Sequence, residues 1–517
     1  MSASVKPRRP TAHAAHYPTK DAPRDRIEWL IDNSEAYEAV ISAIRNARAS
    51  IRISQLAFDA DCLAHRVPVY GETDDYTARE GERLLDAVLE SSSANGVTVE
   101  IVLNSTLLLD TADPLRRSIS RSLRDTSRVE VRGISCFPQL LHAKMVIIDD
   151  RKAFLMGSPF VNGYWDDARH APVDGCRPRR ELGGRPLHDV SIGVEGPIVG
   201  ELNDVFTKLW SAAVRDASDC ESVARRKVDS TVCEKAVRIV TTVPARLLGR
   251  RDAGSVETLA ALLDGIERAR DLIYIEHQYL SSRAVAAALC QALERHPTLE
   301  VVMVLNQNPD VTAYRGWQNA RLGESGMLEH PRVGLFTLWS AAPGADEGPT
   351  VNQVFVHSKV VIIDDRWAMV GSANLDGVSL DSYGSDFSRS LAKRMFRDVR
   401  NVDVGLVIRD DLPAEPHSGT AKDLRRRLWD EHLGHNSRVD ADRGISRHID
   451  LWRDSARKSV DLLNGSGSMQ IKSGTFVLPY STKSTPTRQL KDVGVTASMD
   501  LRYRPGWLEV HCSPAWV

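Results

Sequence analysis

The chain has no apolar run of the 18 or so residues needed to cross a membrane. Its opening stretch, MSASVKPRRPTAHAAHYPTKDAPRDR, holds no apolar core of the kind a secretory signal needs. Residues 1–25 read instead as a polar, proline-rich, disordered arm. No C-x-x-C pair occurs, and the seven cysteines are odd in number, so neither a disulfide framework nor a zinc site is expected. Charge of one sign is also missing. A formal net charge of −2 gives no overall basic field to hold nucleic acid or anionic lipid. The expected setting is cytoplasmic or peripheral to a membrane, with any export using a route that needs no signal peptide. Local basic groups remain, Arg177, Arg179, Arg180 and Arg185, and the run Arg425, Arg426 and Arg427. They read as solvated faces.

What is present is a sentence written twice. Residues 142–151 read HAKMVIIDDR and residues 357–366 read HSKVVIIDDR. Each holds H-x-K-x-x-x-x-D, as His142, Lys144, Asp149 and His357, Lys359, Asp364. Each is followed by Gly-Ser, at Gly157-Ser158 and Gly371-Ser372. Accident explains one such spacing better than two with matching flanks.

The repeat extends beyond the motif. AYEAVISAIRNARASIRISQLAF at 36–58 and TLAALLDGIERARDLIYIEHQYL at 258–280 both read as an amphipathic helix followed by a strand. VTVEIVLN and LEVVMVLN, then HDVSIGVEG and NVDVGLVIRD, add further strands. Helices alternating with apolar strands predict an α/β sandwich in each half. The expected division is an arm over 1–25, a first domain over 26–215, a linker over 216–236, a second domain over 237–436, and an extension over 437–517 packed on the second domain. At 517 residues there is ample material for two large cores.

Strand geometry explains the motif spacing. Residues i and i+2 share a face, so His142 and Lys144 project together, as do His357 and Lys359. The apolar run behind each lysine is a buried strand, and the Asp-Asp-Arg that follows marks its exit into a turn. Asp149 and Asp364 belong to the candidate catalytic motif but read more readily as braces of that turn. Ser158, Ser372 and Asn374 are candidate phosphate ligands, with glycine allowing close approach. Asn162 is offset from the position of Asn374 and is the weaker candidate.

These residues carry a resemblance. The chain is identified as a member of the phospholipase D superfamily, whose proteins carry two H-x-K-x-x-x-x-D motifs. The likeness covers roughly residues 26–480. IYIEHQYL at 273–280 resembles the family's I-Y-I-E-N-Q-Y-F, departing at His277 and Leu280. DLRRRLWDEHLG at 423–434 and LHDVSIGVEGPIV at 187–199 resemble segments of the eukaryotic-type phospholipases D. The resemblance implies two α-β-α sandwich domains about a pseudo-two-fold axis, with one active site between them, in a chain that needs no second copy. It implies attack on phosphorus by His142, giving a phosphohistidine, with His357 as acid and base. It also implies an acidic residue orienting each histidine, which Asp189 and Asp403 fit. Glu276 and Gln278 are further candidates. Histidine suits both roles, because its ordinary pKa lies near neutrality. The lysines would neutralise the phosphoryl oxygens, and covalent catalysis of this kind needs no metal or other cofactor.

The expected activity is hydrolysis of a glycerophospholipid to phosphatidic acid and free headgroup, with transfer to alcohols, at a membrane surface. Rival readings are a nuclease or other phosphodiesterase, a cardiolipin-synthase-like transferase, and an inactive scaffold. Near-neutral charge speaks against nucleic acid. Tyr164, Trp165, Trp317 and Trp339 read as packing aromatics before headgroup ligands. His170, His188, His277 and His330 read as surface or hydrogen-bonded histidines. The loop 165–187, rich in Gly, Pro and Arg, reads as a lid or membrane-contact loop.

Overall fold

The computed structural model describes residues 24–502 apart from 66–80, 106–109, 123–126, 136–138, 178–183, 214–234, 246, 248–253, 344–347, 387–389, 397–398, 413–418, 435–446 and 466–473. Almost all of the expected arm and linker therefore lies outside the described residues, as do Arg179, Arg180 and four cysteines, Cys136, Cys220, Cys233 and Cys512. Of the other three, Cys62 and Cys176 are buried and Cys290 is partly buried.

Strands of the first half are β1 (Arg26–Ile31), β2 (Ser50–Ser54), β3 (Thr98–Asn104), β4 (Val129–Ile134), β5 (Met145–Ile148), β6 (Lys152–Leu155), β7 (Leu187–His188) and β8 (Val190–Glu195). Those that follow are β9 (Val237–Val243), β10 (Ser255–Val256), β11 (Leu272–His277), β12 (Glu300–Leu305), β13 (Val333–Ala342), β14 (Thr350–Gln353), β15 (Phe355–Val356), β16 (Lys359–Ile363), β17 (Trp367–Gly371), β18 (Asp403–Arg409), β19 (Gly474–Pro479) and β20 (Asp500–Leu501).

The first sheet runs β1-β8-β6-β5-β2-β3-β4. Within the second runs β9-β18-β17-β16-β11-β12-β13, the same order with each strand replaced by its repeat. Both halves are thus mixed α/β sheets of one topology. β5 and β16 are buried along their whole length, as expected of central strands covered on both faces.

One apolar cluster contains side chains of both sheets, including Ile192 and Val194 of β8 with Val404 and Leu406 of β18. The halves therefore share a core. Each sheet keeps a second cluster on its outer face, under helices such as Asp32–Arg45 and Glu257–Arg268. The helix Ala421–Leu433 begins with a capping box at Thr420, whose carbonyl accepts from Trp29 Nε1 at 3.2 Å. Arg427 of the same helix reaches Glu35 at 2.8 Å. A residue run from the second half thereby lies against the first.

Beyond residue 437, the helix His448–Leu463 buries Trp452 against Tyr274, Phe336 and Trp429. β19 pairs antiparallel with β13. The stretch WLEVHC at 507–512 lies outside the described residues. Among the described residues, no helix is long and apolar enough to cross a membrane.

Candidate active site

The halves exchange backbone pairing where the motifs meet. β15, which leads into His357, pairs with β7, which leads into Asp189. His357 N donates to His188 O at 2.7 Å. The same exchange occurs on the other side, where Leu141 bridges Val402 and His142 N donates to Val402 O at 2.9 Å.

This crossing determines which carboxylate meets which ring. His142 Nδ1 lies 2.7 Å from Asp403 Oδ1, and His357 Nδ1 lies 2.8 Å from Asp189 Oδ2. Each acid serves the histidine of the other half. Both pairs are buried. A carboxylate at Nδ1 fixes the tautomer with its proton there, leaving Nε2 as the bare nitrogen.

Lys144 and Lys359 are buried beside these rings. Lys144 Nζ donates to His142 O at 3.0 Å, and Lys359 Nζ donates to Gln278 Oε1 at 3.0 Å and to His357 O. Two ammonium groups in one dry cleft oppose each other's charge. Burial, then Lys359, holds Lys144 down at about 7. Burial holds Lys359 down at about 8, against the pull of Asp189. Burial and Lys144 lower His142 to about 4, and burial and Lys359 lower His357 to about 3. Asp189 resists burial because His357 and Lys359 face it, and it sits at about 2. At neutral pH both rings are neutral and both acids ionised. The cleft then carries bare imidazole nitrogens beside the Lys359 ammonium and a Lys144 poised between its charged and neutral forms, and a bound phosphate monoanion draws both lysines to the ammonium form.

Several expectations meet a different geometry. Ser158 Oγ donates to Asp189 and lies 3.2 Å from His357 Nδ1, while Ser372 Oγ donates to Asp403 at 2.7 Å. Read as phosphate ligands, both instead direct their protons to the carboxylates. Their glycines serve strand packing rather than an approach to phosphate. A Cβ on Gly157 would fall on the Asp189 carboxylate, and one on Gly371 would meet Val404 O and Gly405. Asn374 is buried, with Oδ1 unpaired. Asn162 bonds Leu63 N and Asp61 O.

Asp149 and Asp364 stand at the far end of the motif strands, about 20 Å from the histidines along an extended chain. Asp149 accepts from the backbone N–H of Arg48, Ala49 and Ser50. Asp364 accepts from those of Arg270, Asp271 and Leu272. Both sit at positive φ, 52° in each case.

Gln278 touches Lys359, but Glu276 points behind the cleft and accepts from Tyr274 Oη at 2.8 Å and from Ser358. His432 Nε2 lies 2.9 Å from the same carboxylate. Tyr164 packs its ring edge-on to His357, with centroids 5.0 Å apart. Trp165 and Trp339 are core residues, and Trp317 packs against Tyr314.

The loop 165–187 is not a free lid in its described parts. Asp166, His170, Arg177 and Arg185 are buried, because Arg177 pairs with Asp166 at 2.9 Å and Arg185 caps Asn308 O at 3.0 Å. Arg425 is likewise no solvated group, since it pairs with Asp365 at 2.8 Å and lies over Trp429. His170 and His188 are fully buried among acids, and His277 is buried with neither ring nitrogen bonded, whereas His330 is partly exposed.

Residues missed from the sequence include Asp310, which accepts from Tyr279 Oη and lies 3.3 Å from Gln278 Nε2. Asp376 is another. It accepts from Tyr314 Oη at 2.9 Å, and burial raises it to about 6. The triplet Asn374-Leu375-Asp376 was a usable signal for the second.

Fold and cleft together define a duplicated α/β protein with one paired-histidine centre. A family model described as cardiolipin synthase, PLD-like domain, matches residues 40–159 and 262–385, and a model described as phospholipase D matches residues 349–492. The chain belongs to the phospholipase D superfamily. It is 22% identical over 482 residues to phospholipase D A of Dictyostelium discoideum, covering 79% of this chain and 35% of that one. It is 24% identical over 366 residues to cardiolipin synthase A of Pseudomonas fluorescens (strain SBW25), covering 69% and 63%. Thus the chain spans about a third of the first relative and under two thirds of the second. A solved phosphatidylserine synthase of Haemophilus influenzae Rd KW20 aligns with TM-score 0.47 and 14% identity, over 80% of this chain and 86% of that one.

Proposed function

We propose that this protein is a phospholipase D, cleaving a glycerophospholipid to phosphatidic acid and free headgroup through a phosphohistidine, and passing the phosphatidyl group to alcohols. The observation that carries the reading is the crossed pair of buried His–Asp contacts beside two buried lysines. His142 Nε2 attacks phosphorus as the neutral imidazole, and the headgroup oxygen leaves with a proton from His357. Water or an alcohol then gives its proton to His357 and displaces His142. The lysines hold the non-bridging oxygens in both steps. In the free cleft His357 is neutral, but a bound phosphodiester adds a negative charge that raises both lysines and His357. Substrate thereby assists the loading of its own acid. The relatives named as phospholipases support a lipid substrate, as does the likeness of IYIEHQYL and DLRRRLWDEHLG to that branch. The lipid would be met at a membrane surface from one side, with both motifs supplied by a single chain.

The family model named for cardiolipin synthase favours a second reading, in which the acceptor is a lipid alcohol and not water. One assay separates the two. Vesicles of phosphatidylcholine or phosphatidylethanolamine are incubated with the protein and a small primary alcohol, and products are resolved by mass spectrometry. The phospholipase reading expects phosphatidic acid without alcohol and phosphatidylalcohol with it. Product only with phosphatidylglycerol would favour the synthase. Cleavage of DNA or RNA with no lipid product would remove both.

A further inference from the structure

Beneath the catalytic cleft lies a second cluster. Asp32 opens the helix Asp32–Arg45, His170 comes from the loop 165–187, His188 ends β7, and Glu431 lies on the helix Ala421–Leu433. One donor atom from each falls within 4.8 Å of all the others. Asp32, His170 and His188 are fully buried, and the Glu431 side chain is 11% exposed.

The spacing is that of a coordination sphere. Asp32 Oδ2 lies 3.4 Å from His170 Nε2, and Asp32 Oδ1 lies 3.0 Å from His188 Nδ1. Glu431 Oε1 lies 3.2 Å from His170 Nε2 and 2.9 Å from His188 Nδ1. A tetrahedral ion with ligands at about 2.0–2.1 Å sets its donors roughly 3.3 Å apart. Asp32 Oδ2 and His188 Nδ1 are buried without an aligned hydrogen bond. Such orphaned polar atoms are costly unless something occupies the point they face.

The rings are also held as ligating rings are held. His170 Nδ1 lies 3.0 Å from Asp166 Oδ2, and Asp166 is fixed by Arg177 at 2.9 Å and Leu187 N at 2.7 Å. His188 Nε2 lies 2.7 Å from Glu276 Oε1, a close contact that, like those of Nδ1, is not aligned as a hydrogen bond. A carboxylate behind an imidazole aims its other nitrogen at a metal. Without an ion, the surrounding carboxylates of Asp32, Asp166, Glu276 and Glu431 favour protonated rings, and a divalent ion between Asp32 and Glu431 would take the place of those ring protons. The neighbouring trio His188, Glu276 and His432 shares one ring, but there Glu276 already accepts from Tyr274 and contacts His432.

We propose that Asp32, His170, His188 and Glu431 form a structural site for one zinc-type divalent ion. Two nitrogens and two oxygens suit such an ion better than calcium or magnesium, which take oxygen donors. Four protein ligands with no open position mark it as structural. Three ligands come from the first half and one from the second, so the ion clasps the halves together. It also anchors His188, whose carbonyl accepts from His357 N and whose neighbour Asp189 orients the His357 ring.

The test uses the full chain, purified without chelator and dialysed against zinc or cobalt chloride, then against metal-free buffer. Elemental analysis should find one ion per chain. The cobalt form should show the strong visible bands of a four-coordinate ion. Zinc should raise the melting temperature. His170→Gln and Glu431→Gln should each lower occupancy at least tenfold, while the His142→Asn/His357→Asn double variant keeps the ion. Absence of a stoichiometric ion in the parent chain would overturn the proposal. So would undiminished binding in Glu431→Gln, or loss of the ion in the double variant. Should the cluster variants fail to fold, the parent's cobalt spectrum decides. An octahedral spectrum or none is then the negative answer.

Discussion

Replacing Asp403 by asparagine removes the carboxylate from His142, although Asp403 lies in the other half of the chain. The contact is 2.7 Å and buried, so water cannot take over its role. An asparagine amide can offer an N–H to Nδ1, which would place the ring proton on Nε2, the nitrogen that must attack. Loss of a buried carboxylate behind a catalytic imidazole lowers kcat by about 10³–10⁴, or about 4–5.5 kcal/mol in the barrier. KM should change little, because the lysines stay in place. The companion Asp189→Asn should disable His357 instead. The assay is a stopped-flow burst on a soluble short-chain substrate with an aryl leaving group, which needs little acid assistance. Asp189→Asn should still release aryl alcohol in a burst and then stall. Asp403→Asn should give no burst. Pairing inside each half would exchange these results, and a burst with Asp403→Asn alone would refute both the crossed pairing and the role given to His142.

The cleft's charges make the pH profile of kcat/KM a bell. It should rise as His142 loses its proton near pH 4 and fall as the lysines lose theirs at about 7 and 8. The alkaline limb of kcat should lie higher, because bound phosphate stabilises the ammonium groups, and an alkaline limb of kcat/KM near 10 would contradict the mutual depression of the lysines. Gly157→Ala should cost at least a hundredfold in kcat by pushing Asp189 off His357, while circular dichroism stays native; full activity would show that the strands can part. Brief exposure to chelator should leave the initial rate on a soluble substrate unchanged, since the proposed phosphate contacts are lysines, imidazoles and amides; an immediate loss restored by one metal would place a cation in the chemistry.

The repeat made the α/β class of both halves readable, because the same helix and strand segments recur in the same sequence; the order of strands within each sheet came only from the structure. The placing of each lysine beside its histidine was readable too, since a two-residue step in extended chain admits one face. The pairing of each histidine with the other half's acid was not. Spacing singled out Asp189 and Asp403, but their partners depend on how two sheets dock, and no local pattern encodes that. Ser158 and Ser372 were placed by motif but their direction was not readable, since a hydroxyl can face either phosphate or carboxylate until its rotamer is known. The loop 165–187 misled through composition. Arg177 looks solvated until Asp166, eleven residues before it, is seen to supply the countercharge that permits burial. The cluster around His188 draws on residues from Asp32 to Glu431, a span across which sequence gives no proximity signal.

A duplicated sheet also duplicates its weakest place, the outermost strand with open backbone groups. In the first half this is β4, whose outward residues Glu130 and Arg132 put charge along the rim. In the second half the equivalent strand β13 reads VGLFTLWSAA and has almost no charge to repel a newcomer. There the chain supplies its own newcomer, laying β19 along residues 336–341. Shortening the chain to residue 434 would keep every residue of the cleft and uncover a flat apolar ribbon suited to pairing with its like. Such a shortened protein is expected to be lost to the pellet before its activity can be measured.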